Sequence, residues 1–132
     1  DYPKIIELIS YFVAAGTLIV IDNNFVEQCR LYCKSKVCLL ILSMSVSSEL
    51  NWDKSEFHKV VSSASVDEKY LILSYLVNNK RNTNYWVEVV SCFHDSLDED
   101  EILLRGSAQK LKIELVSSLP SRIDSIKLVS TN

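Results

Sequence analysis

The sequence predicts an all-α fold, a compact bundle or short α-solenoid of about seven helices, on three observations. A helix-capping residue is followed three places later by glutamate at Asn24 and Glu27, Asp53 and Glu56, Ser65 and Glu68, and Ser96 and Glu99. At that spacing a short polar side chain and a glutamate satisfy each other's orphan backbone amides. Apolar residues recur at three- and four-residue steps through most of the chain, as on one face of a helix. The 132 residues include only two glycines and two prolines, little of the material from which tight hairpins and phosphate-cradling loops are built.

The first helix opens with Asp1 as cap and Pro3 in the first turn. Its face Ile5, Ile9, Phe12, Gly16 and Ile19 carries it to about Ile21. Asp22-Asn23-Asn24 ends it, and the Asn24 cap starts a second helix to about Ser45, with Val26, Cys29, Cys33, Val37, Leu40 and Met44 on one side. A rival reading breaks this segment at Ser35 and makes Val37–Leu42 a buried strand. A serine-rich link, Ser43–Asn51, precedes a short helix from Asp53 to about Ser62.

The Ser65 cap opens a helix with Val66, Tyr70, Leu73 and Val77 on one face, widened by Leu71, Ile72 and Leu76, so that it is expected to be central. Asn78–Asn82 closes it. From about Asn84 to Asp95, Trp86, Val90, Phe93 and Leu97 fall in register. The fourth cap, Ser96, starts a long element carrying Leu104, Ala108, Leu111, Leu115 and Leu119, ended by Pro120. Ile123–Val129 is a last amphipathic piece. No residue signature repeats along the chain, so no named repeat class is indicated.

Residues 1–132 form one helical domain on this reading, long enough for a single core. Beginning at Asp1 with neither an initiator methionine nor a basic leader, the chain reads as a piece of a longer protein without a visible signal peptide. A net charge of −3 supplies no broad basic field, which argues against nucleic acid or anionic membrane as the main partner and leaves a protein partner. No apolar run reaches the roughly 18 residues of a membrane span. Cys29, Cys33, Cys38 and Cys92, without an Asn-x-Ser/Thr acceptor site, read as reduced thiols in an intracellular protein, cytoplasmic or nuclear.

Candidate chemistry is sparse. Cys29 and Cys33 lie one helical turn apart, but zinc wants four ligands, commonly in Cys-x-x-Cys pairs, and His58 and His94 have no ligand-spaced partner. No nucleophile elbow surrounds any serine or cysteine. The acidic run Asp95, Asp98, Glu99, Asp100 and Glu101 lacks the alternation and glycine of an EF-hand loop; it suits the first turn of a helix. The same acidic context makes Ser96 a candidate phosphorylation site. Lys34, Lys36, Lys80 and Arg81 form two small basic spots, the second beside Tyr85 and Trp86, thin support for single-strand binding.

No catalytic residue, cofactor or metal is therefore assigned. The expected function is a noncatalytic protein-interaction or scaffold module that binds in an apolar groove between helices. The alternative is a small α/β domain with strands at Thr17–Ile21, Val37–Leu42, Tyr70–Val77, Trp86–Val90 and Leu111–Val116. It would be a nucleotide-binding-like fold without a phosphate loop, acting as a subunit of a larger complex.

Overall fold

The computed structural model describes residues 1–17 and 20–119. They form seven α-helices: α1 (Tyr2–Ala14), α2 (Asn23–Tyr32), α3 (Lys36–Val46), α4 (Lys54–Ser63), α5 (Val66–Asn78), α6 (Asn84–Asp95) and α7 (Ile102–Ser118). A single 3-10 turn, Glu49–Asn51, precedes α4. No strand occurs among the described residues. Val37–Leu42, Tyr70–Val77, Trp86–Val90 and Leu111–Val116 are helical, which overturns the α/β alternative; Thr17–Ile21 includes Leu18 and Ile19, outside the described residues.

α1 ends seven residues before the expected Ile21. Gly16 takes φ +80, its amide bonds the Val13 carbonyl (3.1 Å) and that of Thr17 bonds the Phe12 carbonyl (3.0 Å), a Schellman stop that favours glycine. Gly16 is thus punctuation, not part of an apolar stripe. From α5, the Asn78 and Asn79 side-chain amides donate to the carbonyls of Ala14 (3.0 Å) and Val13 (2.9 Å).

The expected helix from Asn24 to Ser45 is two helices. α2 is capped by Asp22, whose carboxylate accepts from the Phe25 amide (2.9 Å), and Asn24 lies inside the first turn. Cys33 is extended, and Ser35 caps α3 by accepting from the Cys38 amide (3.2 Å). The break falls where the rival reading put it, but the segment beyond Ser35 is helix, not strand: Val37, Cys38, Ile41, Leu42 and Met44 are all buried on it. α3 packs on α1, α2, α4 and α5, and a helix surrounded in this way needs apolar residues on most of its circumference. It runs on into the predicted serine link, where the Ser45 hydroxyl donates to the Ile41 carbonyl (2.9 Å).

Asp53 and Ser65 cap α4 and α5 as predicted, the latter with a complete capping box. The buried face of α5 is shifted, however: Lys69, Ile72, Leu73, Tyr75 and Leu76 are inside, whereas Val66, Tyr70 and Val77 face outward. α6 spans the predicted residues, and its register Trp86, Val90, Phe93 and Leu97 is buried, as are Leu104, Ala108, Leu111, Leu115 and Leu119. Ser96 does not cap α7. It closes the C-terminus of α6, and α7 starts at Glu101, whose carboxylate accepts the Asp98 amide (2.9 Å).

The count of seven therefore has a different origin from the predicted one, because α2 and α3 replace a single helix and Ile123–Val129 lies outside the described residues. α1, α3, α5 and α7 pack successively, α1 also reaches α5, and α4 packs on α6, which packs on α7. The α1–α5 contact folds what would be a row of helices back on itself. The result is a compact core around Phe57, Tyr75, Trp86 and Phe93.

Candidate functional site

Where α3 and α4 meet, the core reaches the surface as a groove. One end is a cavity of about 340 Å³ with Leu39, Leu40, Met44, Trp52 and Val60 in its walls. It adjoins a second cavity of about 530 Å³ lined by Lys34, Lys36, Lys59, Ser63 and Glu68 among others, and Lys36, Glu56 and Val60 belong to both. α3 supplies one wall because its apolar circumference leaves Leu39 and Leu40 half-buried after Ile41 and Leu42 have entered the core. Trp52 supplies the far end. Its ring meets Phe57 (5.8 Å) and Tyr85 (5.9 Å) edge-on, and its indole Nε1–H is buried without an acceptor.

Charge around the groove is uneven. The Asp53 carboxylate is held by the Glu56 amide (3.1 Å) and that of Glu68 by the Ser65 amide (2.9 Å). Arg30, at the apolar end, pairs with Glu27 (3.2 Å). Lys34, Lys36 and Lys59 are exposed and belong to none of the ion pairs among the described residues. Lys34 and Lys36 also flank the Ser35 cap, at the positive end of a helix with no acidic residue in its first turn, where the helix dipole disfavours a cation.

The other residues singled out in the sequence are engaged structurally. Ser96 is buried, its hydroxyl donating to the Cys92 carbonyl (2.6 Å). With that hydrogen committed, the 2.7 Å contact with His58 has His58 Nδ1–H as donor and Ser96 Oγ as acceptor. Ser96 Oγ is enclosed between the Cys92 carbonyl and His58, and the pair ties α4 to the end of α6. His94 Nδ1 meets the exposed Asp95 carboxylate at 3.1 Å, at the end of α6. The Arg81 guanidinium lies 5.1 Å from the centre of the Trp86 ring, while Trp86 Nε1–H donates to the Leu76 carbonyl (3.1 Å) within the core, so this basic-aromatic spot is a packing contact.

All four cysteines are free thiols: Cys29, Cys38 and Cys92 are buried and Cys33 is half-buried. Burial pushes the Cys29, Cys33 and Cys92 thiols above their ordinary range. Among the described residues no group of three His, Cys, Asp or Glu is placed to hold a metal ion.

Sequence reasoning noticed Lys34 and Lys36 but not the groove they border. Lys59 and Trp52 come from another helix and a turn, and only packing joins them to α3. The available signal was a surplus of apolar residues over Val37–Met44, more than one buried face requires. No helix among the described residues is long and apolar enough to cross a membrane. No known protein family, curated protein or solved structure matches the chain.

Proposed function

We propose that this chain is a noncatalytic protein-interaction module that receives a segment of a partner protein in the groove between α3 and α4, within a scaffold or larger assembly. The observation that carries the reading is the groove itself: half-buried Leu39, Leu40 and Trp52 form an apolar floor open to solvent, bordered by charged side chains, the anatomy of a helix-in-groove or extended-peptide site. An intracellular setting, in which buried thiols such as Cys29 and Cys92 stay reduced, belongs to the same reading.

Selection of a random displayed-peptide library against the full chain tests it. Selected peptides are expected to shift the methyl resonances of Leu39, Leu40, Met44 and Val60, and to lose binding to a Leu40→Glu variant of unchanged helicity. A selection that returns no binder, or binders that leave those methyls unmoved, contradicts the proposal.

A further inference from the structure

Building on that reading, we infer that the segment received by the groove is acidic: an apolar stripe for the α3–α4 floor, continued by a cluster of aspartates or glutamates over Lys34, Lys36 and Lys59. Charge complementarity carries this. Three exposed lysines, Lys34 from the α2–α3 loop, Lys36 from α3 and Lys59 from α4, face one cavity without an ion-pair partner among the described residues, and two of them stand at the amide end of α3, where their own charge is disfavoured and a carboxylate is favoured. The lysines outnumber the carboxylates of that cavity, Glu56 and Glu68, and the Glu68 carboxylate is held on its own helix cap by the Ser65 amide.

An acidic segment seated there relieves the repulsion among the lysines and the helix dipole together. A nucleic acid fits less well. The apolar floor of Leu39, Leu40 and Trp52 matches the leucine stripe of a peptide and offers nothing to a phosphate backbone.

The test uses the full chain and a fluorescein-labelled synthetic peptide with leucines at three- and four-residue spacing followed by a run of glutamates. Companion probes are the same peptide with lysines for glutamates, the glutamate run without leucines, and a single-stranded RNA oligonucleotide. The glutamate-leucine peptide is expected to bind best, to weaken as salt rises, and to lose about tenfold in affinity on Lys36→Glu/Lys59→Glu. That variant should in turn prefer the lysine peptide. Lys34→Glu gives an independent reading, and since all three lysines are exposed, circular dichroism should stay at wild-type values and the melting temperature should not fall, the changes at the amide end of α3 being expected to raise it slightly.

Equal binding of lysine and glutamate peptides, indifference to the charge reversals, or tighter binding of the RNA overturns the inference. Failure of every designed peptide overturns it as well. If library-selected peptides still occupy the groove in those cases, the interaction reading stands; if they do not, both fall.

Discussion

Lys69 of α5 and Glu101 at the start of α7 form an ion pair, Nζ to Oε1 2.8 Å, with side chains only 5% and 12% exposed. The same Glu101 oxygen accepts the Asp98 amide, so one carboxylate joins two helices and orders the turn that opens α7. A buried pair stabilises little against an apolar substitute, but removing one partner strands the other. Lys69→Met is therefore expected to lower unfolding free energy by about 3 kcal/mol. Lys69→Met/Glu101→Leu should recover part of that loss, measured by urea denaturation.

The bond from Lys69, reinforced by the Asp98 amide, holds the Glu101 carboxyl below the usual carboxylate range. A carboxylate depressed in the folded state contributes stability that is fully present above its unfolded pKa and disappears as pH falls through the folded value. Urea unfolding from pH 7 downward should show stability falling below about pH 4.3, the ordinary glutamate pKa. Glu101→Gln should start lower and lose less over that interval.

The two glycines should respond in opposite ways to alanine. At Gly16 the backbone is left-handed, and a Cβ would stand 3.2 Å from that of Asn78 and 3.3 Å from its carbonyl oxygen, so Gly16→Ala should destabilise by about 1–2 kcal/mol. At Gly106, inside α7, an added Cβ meets nothing within 4 Å. Gly106→Ala should stabilise by about 0.5–1 kcal/mol. Thermal melts of the two variants check both signs.

Ser96 and His58 yield a structural prediction. With the Ser96 hydroxyl committed to the Cys92 carbonyl, neutral His58 should carry its proton on Nδ1, visible in long-range 1H–15N spectra. Ser96→Ala should remove that preference and destabilise by about 1–2 kcal/mol. Phosphate transfer to Ser96 by a kinase that prefers acidic flanks requires the α6–α7 junction to open. Modification should be faster in a peptide spanning residues 92–101 than in the folded chain.

Among the thiols, Cys33 is half-buried whereas Cys29 and Cys92 are buried, and burial raises all three above the ordinary thiol range. Iodoacetamide at neutral pH should label Cys33 first and the other two slowly, with rates that rise as pH rises. Peptide mass spectrometry after timed quenching reads this directly.

The buried faces of the last two helices were legible in the sequence even though Trp86–Val90 and Leu111–Val116 also suited strands, because the three- and four-residue steps run on past both short segments. Trp86, Val90, Phe93 and Leu97, then Leu104 to Leu119, each lie on a single buried face. Helix ends were read less well. Asp22 and Asn24 are equally good caps by residue type, Gly16 fits an apolar stripe as easily as a left-handed stop, and Ser96 closes one helix two residues before the turn that begins the next. The face of α5 was misassigned because Lys69 is buried, and only its partner 32 residues away makes that tolerable. Half of the groove was visible as Lys34 and Lys36. The other half, Lys59 and Trp52, exists only through tertiary packing.

The most direct test of the groove as a binding site places a photo-crosslinking amino acid at Leu40 in its floor, with the same probe at the exposed Ile113 on α7 as reference. Irradiation of the full chain in its native cell should join position 40 to a discrete protein through an acidic, apolar-striped segment, and position 113 should give no such adduct. Adducts of the same kind and yield at both positions, or none at position 40, would contradict the account.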